Sequence, residues 1–186
     1  ARGGVIVIPA FAIGRAQALM LHIARLRERK DIPRVPLYLN SPMAINATRH
    51  YHDHHSEHHV SEEDCQRMFD VATFVNTVEE SKALNRQRGP MIIISASGMC
   101  EAGRIKYHLR ENLPRSECSI LIAGFQAAGT LGRRLVDGAK LVRIFGEQVP
   151  VRARIYTVGG LSAHADQATL LSWLRGFRKP PGHTFV

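Results

Sequence analysis

The sequence predicts an α/β fold in which a mostly parallel sheet is flanked by helices, in a Rossmann-like arrangement. Short runs rich in β-branched residues alternate along the chain with longer segments of helical periodicity. The short runs are apolar almost throughout, which is typical of strands buried on both faces of a parallel sheet. Loops rich in Gly, Ser, Ala and Thr follow these runs, where a parallel strand is expected to turn toward its helix.

The first half of the chain predicts two strand–helix pairs. Residues 5–10 form the first apolar run, and residues 14–30 follow with apolar residues at helical spacing. Residues 35–40 predict the second strand. A helix is expected to begin near Ser41–Pro42, because serine is a good N-cap and proline is well suited to the first helical turn.

The second half repeats this alternation and then departs from it. Strands and helices are predicted, in chain order, at 90–96, 101–112, 118–124, 129–137, 139–145, 149–158 and 165–177, before a last strand-like run, HTFV. Residues 149–158 alternate apolar with polar or basic side chains, as a half-exposed strand does. No helix separates this strand from the one before it. We therefore expect a domain boundary near Gly146.

Composition narrows the class of protein. The 186 residues are 45% hydrophobic, enough for a sizeable core, and no apolar run approaches the roughly 20 residues of a membrane span. Cys65, Cys100 and Cys118 contain no C-x-x-C pair, so we expect no disulfide framework and a cytoplasmic location. The chain lacks an initial methionine, and both ends fall in strand-like runs. We expect it to be a piece of a longer protein.

The loops expected after four strands share a composition suited to anions. Small residues let backbone N–H groups approach a phosphate, and arginines supply bidentate hydrogen bonds. The formal charge of +9 favours a polyanionic partner in the same way. The candidate phosphate-binding residues are Arg15, Ser41, Ser95, Ser97, Gly98, Arg104, Gly129, Thr130, Arg133, Arg134 and Ser162. The alternative is that the Gly and Ser residues serve only turns and caps. No mononucleotide or dinucleotide fingerprint is present.

Two groups of histidines are candidate functional sites. In the cluster RHYHDHHSEHH (49–59), His54/His58 and His55/His59 have the i, i+4 spacing that chelates transition metals on a helix. Because the pattern supplies no third ligand, we interpret the cluster as a solvated helix face. His164 instead stands alone between a predicted strand and a predicted helix, and no ligand-spaced partner accompanies it. It is either a functional residue or a satisfied structural histidine.

Five motifs occur in an order that resembles a known family. They are GGVIVIPAFAIGRAQALM, LNSPMAINAT, IIISASGMCEAGRIKYHL, ILIAGFQAAGTLGRRL and VGGLSAHADQATLLSW. Together they resemble the β-CASP region of metallo-β-lactamase-fold nucleases, which include RNase J and the endonuclease of messenger-RNA 3′ processing, and most closely its bacterial members. Only the histidine-rich stretch is unlike the family.

The resemblance implies an RNA-cleaving hydrolase with two zinc ions. Residues 1–145 would form the β-CASP cap, and residues 146–186 would return to the metallo-β-lactamase αββα core. His164 would be the catalytic histidine that contacts the scissile phosphate or transfers a proton. The zinc ligands would lie largely outside this chain, and His183 would not be one of them. The chain alone is therefore expected to be inactive.

The resemblance also implies partners. These are single-stranded RNA and the metallo-β-lactamase core, with no membrane partner; homo-oligomerisation is compatible with the sequence. Aromatic residues make up 6% of the chain, so we expect phosphate contact to matter more than base stacking. Two alternatives stay open: a non-catalytic RNA-binding or regulatory module from a degenerate family member, and an unrelated α/β domain that binds a phosphorylated small molecule.

Overall fold

A six-stranded sheet lies at the centre of the protein, in a computed structural model that describes residues 3–161, 164–179, 181–183 and 185. The strands are, in chain order, β1 (Val5–Pro9), β2 (Leu37–Leu39), β3 (Thr73–Phe74), β4 (Met91–Ser95), β5 (Ser119–Ile122), β6 (Leu141–Ile144), β7 (Glu147–Pro150) and β8 (Arg154–Thr157). The sheet order is β3-β2-β4-β1-β5-β8, and its strands pair in parallel. The predicted α/β class with a mostly parallel sheet is confirmed.

Helices follow most of the strands. They are α1 (Arg15–Glu28), α2 (Pro42–Asp53), α3 (Glu62–Asp70), α4 (Val78–Arg86), α5 (Ile105–Asn112), α6 (Leu131–Val136) and α7 (Gln167–Arg175), with a short 3-10 turn at His55–Glu57. The helix predicted near Ser41–Pro42 is confirmed. Ser41 is its N-cap and accepts a hydrogen bond from the backbone N–H of Ala44, and Pro42 opens the helix.

The helices cover both faces of the sheet, and each face has its own apolar core. Side chains from α1 and α2 pack with Ile8 and Ile94 on one face. Side chains from α5 and α6 pack with Val7 and Ile93 on the other. Because successive residues of a strand point to opposite faces, a strand covered on both sides has to be apolar throughout. This explains the unbroken apolar runs of β1 and β4.

Residues 61–86 contain helices that the patterns described above do not predict. Ser61 caps α3 through its side chain, and Thr77 and Glu80 form a reciprocal capping box at the start of α4. Each cap residue precedes a first turn with acidic side chains, which complements the helix dipole. These capping patterns are the sequence signals that could have revealed the two helices.

The single strand predicted at 149–158 is wrong, because the structure has two strands there. The backbone N–H groups of Arg152 and Ala153 both donate to the carbonyl of Leu113, over 2.8 and 2.9 Å. These bonds turn the chain between β7, which pairs antiparallel with β6, and β8, which joins the large sheet beside β5. Gly146 lies in the β6–β7 turn with φ +84. A domain division at Gly146 stays a prediction.

The C-terminal part of the chain has exposed side chains. Residues 164–179 are all exposed, including those of α7. The strand predicted for HTFV includes Thr184 and Val186, which lie outside the described residues. Within the part of the chain that the structure describes, no helix has both the length and the apolar character that crossing a membrane requires.

Candidate nucleic-acid interface

A cavity of about 520 Å³ opens at the carboxyl edge of the sheet. Its walls come from the loops that follow β4, β1, β5 and β8, which are four neighbouring strands of the sheet. Parallel strands bring their carboxyl ends to one edge, so loops that are distant in sequence meet there. The loops after β1, β4 and β5 are among the candidate phosphate-binding loops of the sequence, whereas the candidate loop at 40–44, after β2, contributes no residue to the described lining.

Three of the predicted site residues meet around this cavity. Arg15 lines it from the first turn of α1, Arg133 from α6, and His164 from the segment that precedes α7. Arg15 is half-buried, whereas Arg133 and His164 are exposed. The cavity thus combines two guanidinium groups and an imidazole contributed by three separate elements.

The two neighbouring arginines of α6 are placed differently. Arg133 lines the cavity and donates from Nε to the carboxylate of Asp137 over 2.9 Å. This pairing raises the pKa of Arg133, so its charge is secure. Arg134 is also exposed, but the cavity lining that the structure describes does not include it. Helical geometry directs adjacent side chains about 100° apart, which explains the separation.

Arg104 is engaged with the protein itself. Its guanidinium donates to Oδ1 of Asn40 over 2.8 Å, to the carbonyl of Val75 over 3.1 Å and to the carbonyl of Asn76 over 2.7 Å. These bonds join the segments that follow β2, β3 and β4. The geometry gives no support to the predicted contact between Arg104 and phosphate, which stays untested.

A buried polar network that no sequence pattern above predicts adjoins Arg104. Nδ2 of Asn40 lies 2.8 Å from Nε2 of His108, and Nδ1 of His108 lies 2.6 Å from Oδ1 of Asn85. Burial, together with the nearby charge of Arg104, lowers the pKa of His108 to about 4. The position of His108 could have indicated that it is buried, since it falls in the apolar stripe of α5 beside Leu109.

Three of the predicted serines, Ser41, Ser95 and Ser97, have structural roles. Ser41 is the N-cap of α2, and the Ser95 hydroxyl donates to the carbonyl of Asn40 over 2.7 Å. The hydroxyl oxygen of Ser97 accepts from the backbone N–H of Ala102 over 3.3 Å. Ser41 and Ser95 are buried, so the cap and turn alternative describes them better than phosphate contact does.

The other predicted loop residues also shape the backbone. Thr130 caps α6 and accepts from the N–H of Arg133 over 3.2 Å. Gly129 has φ +86, a conformation that favours glycine. Gly98 packs against Phe11, where an added Cβ would lie 2.9 Å from the ring. Ser162 lies outside the described residues.

Gln126 joins the loops around the cavity. It is 5% exposed, and its Nε2 donates to the carbonyls of Gly98 and Phe125, each over 3.0 Å. Its Oε1 packs against Gly132, where an added Cβ would lie only 1.7 Å away. The loop after β4, the loop after β5 and helix α6 are thereby held together.

Four apolar side chains of the cavity lining are exposed. Phe11 and Phe125 are 48% and 71% exposed, and Val136 and Val158 are 38% and 39% exposed. All four side chains line the cavity. The aromatic content of the whole sequence does not predict that two phenylalanines line this cavity, because it does not indicate where the rings lie in space.

The described residues do not supply a zinc site. Over residues 3–161, 164–179, 181–183 and 185, no three His, Cys, Asp or Glu side chains lie together in a way that could hold a metal ion. The prediction of a helix face for the histidine cluster is wrong at His54–His59, because α2 ends at Asp53 and a 3-10 turn follows. Nε2 of His58 lies 2.9 Å from the carbonyl of Tyr51, so this ring has a partner in the protein.

Two family models match the chain. A model described as "Beta-Casp domain" matches residues 16–135, and one described as "Zn-dependent metallo-hydrolase RNA specificity domain" matches residues 148–186. The two matched ranges lie on either side of Gly146.

Individual relatives are also similar. The chain is 37% identical to "Ribonuclease TTHA0252" of Thermus thermophilus, over 94% of this chain and 42% of that protein. It is 31% identical to an "RNase J-like protein" of Methanocaldococcus jannaschii, over 96% of this chain and 41% of that protein. It is 30% identical to "Transcription termination factor FttA" of the same organism, over 97% of this chain and 30% of that protein.

The chain spans less than half the length of these relatives. The matching β-CASP model nevertheless covers well over half of the chain, and the fold agrees with the one that the resemblance implies. On this evidence the chain belongs to the β-CASP family.

Proposed function

We propose that this chain is the RNA-holding part of a metal-dependent ribonuclease, and that single-stranded RNA occupies the cavity at the carboxyl edge of the sheet. The observation that carries the proposal is the convergence of Arg15, Arg133 and His164 on one cavity from three elements. The proposal is supported by the names of two relatives, a ribonuclease and an RNase J-like protein, and by the match to the RNA specificity domain.

The chemistry of the cavity suits an RNA backbone. Guanidinium groups form bidentate, charge-assisted hydrogen bonds with phosphate, and the net charge of +9 attracts a polyanion over longer distances. The volume of about 520 Å³ is in the range that accommodates one small ligand, so it suits a nucleotide unit of a single strand better than a duplex.

His164 is the candidate for proton transfer. Its imidazole is exposed at the cavity, where a phosphodiester of the bound strand would pass. Histidine is the side chain that most often transfers protons in enzymes. The described residues hold no zinc site. We propose that the two zinc ions implied by the resemblance have their ligands largely outside this chain. We assign no step of cleavage to a metal held by these residues.

Three cysteines support a proposal for the cellular location. Cys65, Cys100 and Cys118, all in the described part of the chain, are buried free thiols. Free thiols persist in reducing compartments. We therefore propose that the protein is cytoplasmic.

The binding part of the proposal is tested by titrating a short single-stranded RNA into the chain at several salt concentrations. Arg15→Ala and Arg133→Ala should each lower the affinity and reduce the slope of log affinity against log salt by about one, because one phosphate contact is lost. Fluorescence anisotropy of a labelled RNA provides the readout.

Two variants with the same change in charge serve as controls. Arg134→Ala changes the neighbouring residue outside the cavity lining, and Arg29→Ala changes the opposite end of α1, roughly 20 Å away at 1.5 Å per residue. Both should keep an affinity close to that of the unmodified chain. If all four variants lose affinity equally, the attraction is general and the cavity is not the RNA site.

A further inference from the structure

We propose that Phe11 and Phe125 form a stacking site for an unpaired nucleobase of the RNA that occupies the cavity. This inference rests on the proposed function and deepens it, because it adds contact with the bases to contact with phosphates. The occupant is single-stranded RNA, whose bases are free to leave their own stack.

The two rings lie in neighbouring loops. Phe11 follows β1 and Phe125 follows β5, and these strands pair in parallel within the sheet. Both rings line the cavity and remain 48% and 71% exposed. An exposed apolar residue on its own is ordinary, but two aromatic rings that line one cavity together with two exposed valines form a patch.

The backbone under each ring is held in place. A Cβ at Gly98 would lie 2.9 Å from the Phe11 ring and 3.0 Å from the backbone nitrogen of Phe11, so the loop after β4 closes on this residue only because glycine has no side chain. The buried amide of Gln126 donates to the carbonyls of both Gly98 and Phe125. The two ring-bearing loops are therefore coupled before any ligand binds, which reduces the ordering cost of binding.

The charges beside the rings favour RNA over an apolar peptide. Arg15 and Arg133 line the same cavity as the two phenylalanines, so cationic and apolar surfaces adjoin each other. A single strand of RNA presents the matching pair, an anionic backbone and flat bases with π-faces. An apolar protein segment would leave both arginines without a partner of opposite charge from the ligand.

The test separates base contact from phosphate contact with two probes. One is a short single-stranded RNA that carries one 2-aminopurine, and the other is inorganic polyphosphate, which has the charge but no bases. Phe125→Leu keeps the apolar character but removes the π-face, whereas Phe125→Tyr keeps the ring. Phe11→Leu probes the second ring in the same way.

We expect Phe125→Leu and Phe11→Leu to weaken binding of the RNA about 5-fold to 100-fold, the range observed when an aromatic stacking partner is removed. Their salt dependence and their affinity for polyphosphate should not change. Phe125→Tyr should bind RNA like the unmodified chain and should retain the change in 2-aminopurine fluorescence. Phe145→Leu is the matched control, because Phe145 is 43% exposed but lies in the β6–β7 turn, outside the described lining of the cavity.

The outcomes that overturn the inference are distinct from those that overturn the proposed function. If both leucine variants bind RNA normally while Arg133→Ala loses affinity, the rings are not a base site and the proposed function stands. If Phe125→Leu weakens polyphosphate binding as strongly as RNA binding, the ring acts through loop structure and base stacking is excluded. If neither probe responds to Arg15→Ala or Arg133→Ala, the proposed function fails and the base site fails with it.

Discussion

The side-chain nitrogen of Asn40 donates a hydrogen bond of 2.8 Å to Nε2 of His108 in the interior of the protein. An amide nitrogen can only donate, so Nε2 of His108 is the acceptor, and its proton resides on Nδ1. Nδ1 then donates to Oδ1 of Asn85 over 2.6 Å. Protonation of Nε2 would place two donors against each other, and the imidazole is consequently held neutral.

This arrangement predicts a specific loss of stability in acid. The pKa of His108 is lowered from 6.5 to about 4 in the folded chain, mainly by burial. Between these two values the unfolded chain binds a proton that the folded chain does not bind, so the stability contribution is present above about pH 6.5 and is lost as the pH falls toward 4. The loss should reach roughly 3 kcal/mol.

Chemical denaturation at pH 7 and at pH 4.5 measures this effect. In His108→Gln the side chain has no proton to gain, so the decrease in unfolding free energy between the two pH values should be smaller than in the unmodified chain. Equal decreases in the two proteins would show that His108 does not carry the pH dependence.

Arg104→Ala should destabilise the fold by about 2 kcal/mol, because three protein acceptors lose a charged donor. Arg104→Lys should rescue little of this loss, since one ammonium group does not reproduce the geometry of the guanidinium. Thermal and urea unfolding provide the measurement. Arg134→Ala is the control and should change the free energy of unfolding by less than about 0.5 kcal/mol; an equal effect of the two alanine variants would contradict the structural role of Arg104.

Gly132→Ala should destabilise the protein even though alanine is the better helix former. Alanine in a helix interior is favoured over glycine by about 1 kcal/mol, but the new Cβ would lie 1.7 Å from Oε1 of Gln126. Moving this buried amide disturbs its bonds to the neighbouring loops, and we expect a net cost of about 1–3 kcal/mol. Gly160→Ala, where a Cβ would meet nothing within 4 Å, should be close to neutral. A more stable Gly132→Ala variant would show that Gln126 adjusts without cost.

Asp137→Asn should strengthen RNA binding a few-fold. Its carboxylate pairs with Arg133 over 2.9 Å, so it would compete with a phosphate for this guanidinium, and it adds negative charge near the cavity. The matched control is Asp31→Asn, which breaks a comparable exposed pair with Arg29 and changes the net charge equally. The same RNA titration measures both. Equal gains in affinity would indicate a general effect of net charge.

His164→Ala should lower turnover about 100-fold or more in an active ribonuclease that contains these 186 residues, the usual scale for loss of a general acid or base. Bound zinc should remain, because the described residues place no metal-ligand cluster at His164. The melting temperature should also remain, because the side chain is exposed. All three quantities are measured on one preparation. Joint loss of zinc and activity would assign His164 to the metal instead.

Local sequence patterns predicted the fold correctly in segments where nearly every residue is buried. The apolar run of β4 indicates a strand that is covered on both faces, and Ser41 followed by Pro42 indicates the start of α2. The prediction for residues 149–158 was wrong because the alternation of apolar and polar residues indicates a strand but does not indicate where the chain turns. That turn depends on the carbonyl of Leu113, which is remote in sequence.

The sequence by itself determined which residue types lie at the carboxyl edge of the sheet. The loops that follow parallel strands all lie at that edge, whatever their distance along the chain. Arg15 and Arg133 could be predicted for that reason, whereas His164 was predicted from the motif that contains it and from the family resemblance. Only the tertiary structure decided which candidates face the cavity. Arg104 has the same side chain as Arg133, but acceptors from two other loops surround it and engage its guanidinium. The sequence could not predict that Phe11 and Phe125 are exposed. Whether a ring is exposed depends on which atoms from distant parts of the chain cover it, and no local sequence pattern indicates those atoms.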